Sequence, residues 1–237
     1  MDRTSEKARQ VRGMFARIVR RYDLLNTLMS WGLDRRWRRA AVRAAGVCGL
    51  RVLDLATGTG ELAFEAIRQG AGRVIGVDFT AEMLGVAAAK AARRRLKPAP
   101  DWVVGDALAL PFADASFDVV LNGFLLRNLA DLELAFREMY RVLRPGGRLI
   151  CLDAVEPELG PLMPLYRLYF HRLVPLLGGL ISGDPAAYAY LPRSVTTMPR
   201  GSDLLKVMAA AGFTHTEFRP LTLGLVAIYS GRRPPAG

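Results

Sequence analysis

A short apolar strand that ends in a carboxylate and runs into a Gly-x-Gly turn constrains this chain of 237 residues more than any other feature. The stretch reads Arg51-Val52-Leu53-Asp54-Leu55-Ala56-Thr57-Gly58-Thr59-Gly60-Glu61-Leu62-Ala63. Glycines let the backbone turn sharply and approach a ligand, and a helix that starts behind them presents free N–H groups. A second apolar strand, Arg73-Val74-Ile75-Gly76-Val77, ends at Asp78, with Phe79 next. A carboxylate there is placed to accept from both hydroxyls of a ribose. The unit reads as strand, loop, helix and strand around a nucleoside.

Gly58-Thr59-Gly60-Glu61-Leu62-Ala63 fits the dinucleotide fingerprint, and Asp78 follows at a suitable distance. The charges argue against a dinucleotide. Asp54 and Glu61 flank the turn, and no Lys or Arg lies between Arg51 and Arg68. A pyrophosphate would meet carboxylates with no cation close in sequence. S-adenosylmethionine has no phosphate, and its ammonium and sulfonium suit such a turn. Glu61 reads equally well as a charge on the helix N-terminus. Asp54 reads as a ligand-facing group, and the glycines with Thr59 and Asp78 complete the proposed cofactor loop. A nicotinamide-dependent dehydrogenase is the rival.

The alternation continues along the chain. Strands are expected over 51–55, 73–77, 102–104, 117–122 and 148–153, with helices over 61–69, 81–96 and 131–143 between them. A helix over 202–211 and strands over 214–219 and 222–230, broken at Pro220, close the pattern. This predicts an α/β fold with a doubly wound, mostly parallel seven-stranded sheet. Residues 1–46 read as an N-terminal helical lid segment and 47–237 as the main domain, with a lid insertion at about 155–200 rich in Pro, Leu and Tyr. Residues 1–50 hold twelve Lys/Arg against four acids, so +8 of the net +11 sits there. Only four of the 33 basic residues are lysine, which points to arginine bias as well as an anionic partner. Zinc-finger spacing and ribonucleoprotein aromatics are missing, so nucleic acid is not expected. With two His and two distant Cys, no metal site is expected either. The charged start lacks a leader-like apolar core, and Leu159 to Ile181 carries charges and prolines that suit no membrane span. A cytoplasmic protein is expected, and self-association is left open.

More polar groups gather at the expected strand tips: Asp106 and Ala107 after strand three, and Asn122-Gly123-Phe124 after strand four. A carboxylate at Asp106 can accept from an adenine amino group. In this order and spacing the chain resembles the class I S-adenosylmethionine-dependent methyltransferases over about residues 47–153. A narrower resemblance spans nearly all of it. Met14-Phe15-Ala16-Arg17-Ile18, Arg21-Tyr22-Asp23-Leu24-Leu25-Asn26, Leu33-Asp34-Arg35-Arg36-Trp37-Arg38 and Leu126-Arg127-Asn128-Leu129-Ala130-Asp131 are similar to the ubiquinone/menaquinone biosynthesis C-methyltransferases. So are Arg137-Glu138-Met139-Tyr140-Arg141-Val142-Leu143 and Tyr188-Ala189-Tyr190-Leu191-Pro192.

The resemblance implies C-methylation of a prenylated quinol, with Thr59, Asp78, Asp106 and Ala107 at cofactor contacts. Gly123 stands where the family often has Ser, and Glu61 where it has Asp. Leu125 replaces the Gly of its Gly-Leu-Arg-Asn, and Asp153-Ala154 replace a Glu-Phe pair bordering the acceptor. It further implies Arg127 as the group that stabilises the quinol oxyanion, with Asn128 orienting it. Tyr22, Asp23 and Asp153 are the candidate proton relays. Arg127 could instead pair with Asp131, one helical turn on. A methyltransferase for another small acceptor and a non-catalytic cofactor-binding subunit of a quinone-biosynthesis complex are the alternatives. Because a prenylated acceptor is lipid-soluble, the protein is expected on the inner face of an anionic membrane. The apolar stripe Val11, Met14, Phe15, Ile18 and the basic Arg9, Arg12, Arg17, Arg20 and Arg21, together with the apolar 155–200 region, are the expected contact. Packing of that stripe as a lid is the rival.

Overall fold

A computed structural model of the chain describes residues 3–182, 184–199 and 201–236; the side chains of Arg20 and Tyr188 lie outside the described residues. The chain opens with two helices, α1 (Arg3–Met29) and α2 (Leu33–Ala45). Gly46, at φ 60°, ends α2 and donates back to the last carbonyls. Then β1 (Arg51–Leu55), α3 (Glu61–Arg68), β2 (Arg73–Asp78), α4 (Ala81–Arg94), β3 (Asp101–Val104) and β4 (Phe117–Gly123) alternate. α5 (Leu132–Val142) leads into β5 (Leu143–Ala154). α6 (Met163–Leu168), a π-type segment (Tyr169–Leu173) and α7 (Val174–Ser182) form one helical run, followed by α8 (Pro185–Thr196). α9 (Gly201–Ala210), β6 (Thr214–Leu221) and β7 (Val226–Arg232) complete the chain.

The strands form one sheet in the order β3-β2-β1-β4-β5-β7-β6. β1 to β5 run parallel, and β7 and β6 are added antiparallel at one edge. The expected doubly wound, mostly parallel seven-stranded fold is therefore present. Period-two alternation explains its two-sided core. Leu53, Leu55, Val120 and Cys151 face a cluster with Phe136 and Met139 of α5 and Leu204 and Met208 of α9. Val52, Val119, Leu121 and Ile150 face Trp37, Ala41 and Val42 of α2 and Leu62 and Ala66 of α3. Burying a single Leu or Phe in such a layer contributes about 1.5–3 kcal/mol, and it fixes which face each strand shows.

Two local expectations are corrected. The strand expected to begin at residue 148 begins at Leu143, which pairs with Phe117 before the register shifts to Val119 opposite Arg148. The last two strands are not broken at Pro220. Pro220 pairs with Ala227 inside β6, an edge strand where the missing N–H is tolerated. The chain reverses instead at Thr222, Leu223 and Gly224, with φ values of 48°, 56° and 83°.

The N-terminal stripe is also reassigned. Val11, Met14 and Ile18 are buried, and Phe15 and Tyr22 pack with Tyr190 of α8 around Met14, Ile18 and Leu25. The stripe is a packing face and offers no apolar area to a membrane. α1 touches α2, α4, α7 and α8, so it lies across the strand tips. No helix among the described residues is long and apolar enough to cross a membrane.

Candidate functional site

The strand order reverses between β1 and β4, and ligands of open α/β sheets bind outside the carboxyl ends of strands at that point. A cavity of about 90 Å³, counted as room for the centre of a water-sized sphere, opens there. Leu55, Ala56 and Gly58 from the β1 loop, Asp78 and Phe79 from β2, and Asp106 and Ala107 after β3 line one end. Gly123, Phe124, Leu125 and Asn128 line the other, and Val11, Phe15 and Tyr22 of α1 roof it. Eight of the expected site residues (Tyr22, Gly58, Asp78, Phe79, Asp106, Ala107, Gly123 and Asn128) thus meet in one space.

Each cofactor-end residue has a structural reason for its place. Gly58 and Gly60 adopt φ of 55° and 86°. A Cβ on Gly60 would come within 2.8 Å of Phe64 Cζ and 2.9 Å of Trp102, so only glycine fits. Asp78 Oδ2 accepts from the Gly58 amide at 2.8 Å and Oδ1 from the Thr80 amide at 2.9 Å, which ties the loop to β2. Burial raises the Asp78 pKa against the pull of those amides. Asp106 Oδ1 accepts from the Leu108 amide.

Three expectations change at this end. Asp54 does not line the cavity. It is 1% exposed beneath the turn, where Oδ2 accepts from Thr57 Oγ1 at 2.6 Å. Its Oδ1 has no hydrogen-bond partner of good geometry, although the Ala63 amide favours the anion, and burial lifts its pKa to about 7. Nor is the turn poor in cations. Lys90 of α4 reaches Glu61 at 2.5 Å and Asp23 at 2.7 Å, and Arg94 reaches Glu61 at 2.7 Å. Burial works to raise the Glu61 pKa, but hydrogen bonds from Arg94 and Lys90 outweigh it and hold the carboxyl below its usual range. Those cations are matched by Glu61 and Asp23, so they are already engaged. Finally, Thr59 and Asp23 are engaged with each other: Thr59 Oγ1 donates to Asp23 Oδ1 at 2.5 Å, and Lys90 takes Oδ2. Asp23 therefore fastens α1 to the cofactor loop.

The other end is backed by two arginines, each paired with a buried carboxylate. Phe124 holds φ 63°, and the guanidinium carbons of Arg38 and Arg127 sit 5.8 Å and 5.4 Å from its ring centroid. Such placements add cation–π attraction and gather positive charge around the ring. Arg127 Nη1 donates to Asp153 Oδ1, and both side chains are buried. Asp131 is not its partner; that carboxylate caps α5 by accepting from the Leu134 amide. Asp153 is fully buried and paired, so it holds Arg127 in place. Arg127 Nε is buried with no partner, an N–H that costs free energy unless something accepts it. Asn128 does not orient Arg127: its amide donates to Phe124 O at 2.9 Å and its oxygen accepts from Tyr190 Oη at 3.1 Å. Burial raises the pKa of Tyr22 and Tyr190 against the opposing pull of Arg127, so both phenols are protonated donors at neutral pH.

With this geometry in view, the likeness to known proteins is decisive. The model of the ubiE/COQ5 methyltransferase family matches residues 3–233. The chain belongs to that family. It is 49% identical to the demethylmenaquinone methyltransferase of Thermus thermophilus, over 93% of this chain and 100% of that one. It is 40% identical to the ubiquinone/menaquinone biosynthesis C-methyltransferase UbiE of Cellvibrio japonicus, over 97% and 93% of the two chains. Among solved structures, a SAM dependent methyltransferase from Aquifex aeolicus shares the fold with a TM-score of 0.60 at 17% identity, over 83% and 89% of the chains.

As a methyltransferase of this family the protein uses S-adenosylmethionine, and the acid-lined end fits it. Asp78 and Asp106 offer carboxylates to hydroxyls and an amino group. Sequence reasoning missed Arg38 and Lys90, placed Phe124 only as part of a strand tip, and gave the lid role of Val11 and Phe15 as the rival to membrane contact. Arg38 had a local signal, since it lies four residues after Asp34 and pairs with it. Lys90 had none, because its partners lie in other elements.

Proposed function

We propose that the protein transfers a methyl group from S-adenosylmethionine to a ring carbon of a prenylated quinol. The step converts demethylmenaquinol to menaquinol, or is the equivalent one in ubiquinone synthesis. The names of its relatives in quinone biosynthesis support this reading. One observation supports it at the site: Arg127 Nε, buried and unpartnered, lies directly behind Phe124, which lines the acceptor end of a cavity whose other end suits a nucleoside.

Bound S-adenosylmethionine supplies an electrophilic methyl on its sulfonium. The chain's own residues must hold the acceptor carbon in line with it and favour the ionised quinol. The quinol hydroxyl gives its proton to solvent, and the adjacent ring carbon takes the methyl as its bond to sulfur is given up to the departing thioether. The ring carbon then releases its hydrogen as a proton to solvent and the restored phenolate takes one back, so one proton is released for each methyl transferred. Arg127 stabilises the oxygen that carries the negative charge, with Asp153 fixing the guanidinium. Tyr22 closes the cavity over the Gly58 turn. Asn128 and Tyr190 hold Phe124 and α8 together around the acceptor. The acceptor partitions into lipid while the cofactor is aqueous, so the enzyme works at the inner surface of a membrane.

The test is incubation with methyl-labelled S-adenosylmethionine and the lipid extract of a strain blocked in quinone methylation. Label in a prenylated quinone supports the proposal. Label only in other small molecules would redirect it to a different acceptor, and none at all would favour a non-catalytic role.

A further inference from the structure

We propose that the outer surface of the helices covering the site docks on an anionic lipid bilayer. This rests on the lipid-soluble acceptor proposed above; it replaces the N-terminal stripe by Trp31, Leu24 and Leu28 and narrows the expected 155–200 region to four named leucines. Trp31 is 81% exposed, and it sits at φ 52°, a left-handed conformation that a Trp rarely adopts. Its indole Nε1 donates to Tyr169 Oη, which in turn donates to Met29 O at 2.9 Å. The ring is thus pinned outward with its only polar atom satisfied, the arrangement that suits an aromatic at a lipid–water boundary.

Leucines extend this anchor on both sides. Leu24 and Leu28 of α1 are exposed one turn apart. Across the Trp31–Tyr169 contact, Leu165, Leu168, Leu176 and Leu180 stand exposed along the helical run from α6 to α7. The opposite side of α1 carries Val11, Phe15 and Tyr22 into the cavity. A lipid-dissolved acceptor on the outer surface is therefore separated from the site by the thickness of the covering helices.

Charge selects the occupant. From Met163 to Ser182 the chain holds Arg167, His171 and Arg172 and no acidic residue; Arg167 reaches Glu156 at 3.9 Å, so His171 and Arg172 are the groups this segment offers to an anionic layer. From Leu24 to Arg39 its one acid, Asp34, is buried against Arg38, while Arg35 and Arg36 are exposed. A two-fold contact with a second copy would bring arginine-rich surfaces face to face. An anionic headgroup layer neutralises them while the acyl region takes the leucines.

The experiment uses the full chain and flotation with phosphatidylcholine vesicles, with and without phosphatidylglycerol. Binding is expected to the anionic vesicles and to weaken with salt. Leu165→Asp/Leu176→Asp should lower the partition coefficient at least about tenfold, since each leucine loses its transfer into lipid. Leu134→Asp, an exposed leucine on α5, should change nothing. Methyl transfer to a tail-less, water-soluble quinol should be equal in wild type and double variant, and transfer to vesicle-embedded quinol should fall with the partition coefficient. Equal flotation of the double variant, or a dimer in sedimentation velocity that the same substitutions dissolve, overturns the docking surface. Vesicle binding without methylation of any quinol leaves the docking surface standing and removes the proposed acceptor.

Discussion

Removing the Arg127 guanidinium separates a catalytic role from a structural one. Asp153 is 0% exposed and Arg127 9% exposed in their side chains. Arg127→Met leaves a buried carboxylate without its counter-charge, a loss of about 3–5 kcal/mol. Asp153 keeps the Ala154 amide at 2.8 Å and the Arg127 amide at 3.4 Å, so the expected loss lies near the lower end. Arg127→Met/Asp153→Leu removes both charges and fills the volume, so most of that stability should return. Turnover should not return. Loss of a preorganised oxyanion donor lowers kcat by about 100- to 1,000-fold in both variants. Urea unfolding, initial rates and titration with S-adenosylmethionine read the three quantities separately. Cofactor affinity should stay close to wild type, since neither residue lines the cofactor end. If the double variant recovers rate together with stability, Arg127 merely answers the charge of Asp153 and the oxyanion role is wrong. If Arg127→Met is as stable as wild type, the buried-pair reasoning fails.

Asp78→Ala should weaken S-adenosylmethionine by about 1.5–3 kcal/mol for each ribose hydroxyl it accepts from, at least about tenfold in Kd by calorimetry. An unchanged Kd in a folded variant means the ribose is held elsewhere, and NAD should give no binding heat with wild type. Asp54 titrates near 7 in the folded chain against 3.8 ordinarily. Between those values the unfolded chain has released a proton that the folded chain keeps, so stability falls as pH rises from about 4 to 7, by up to about 4 kcal/mol. Asp54→Asn should flatten that slope in urea titrations, and an unchanged slope would show that Asp54 is ionised throughout. Asp23→Ala removes the acceptor that Thr59 and Lys90 share, so α1 should loosen. Faster release of S-adenosylhomocysteine in stopped flow is expected, and an unaltered rate would show that α1 is held by its apolar face alone.

The sheet was legible because its signals are local. Val52 and Leu53 alternate faces, and Gly58 and Gly60 sit where the turn needs positive φ. The loop, Asp78 and Asp106 could be placed at one cavity for the same reason: strand tips converge by topology. Side-chain partnership was less legible. Arg127 lies four residues from Asp131, yet its partner Asp153 is 26 residues away on the neighbouring strand. The pairing of Lys90 with Asp23 spans 67 residues, so a turn with no basic neighbours in sequence has two in space. Periodicity found the stripe on α1 but could not say what covers it, because a buried helix face and a membrane-binding one share the same spacing.

The most direct measurement supplies purified demethylmenaquinol, kept reduced, with S-adenosylmethionine and the enzyme, and then identifies the product by mass spectrometry before and after oxidation. The account predicts a product heavier by one methylene unit, with the methyl on a ring carbon and both ring oxygens free, so that it oxidises to menaquinone. Arg127→Met/Asp153→Leu should form little of it while still binding the cofactor. A methyl on oxygen, which blocks oxidation to the quinone, or no transfer from an enzyme that binds S-adenosylmethionine, would contradict C-methylation of a quinol at this site.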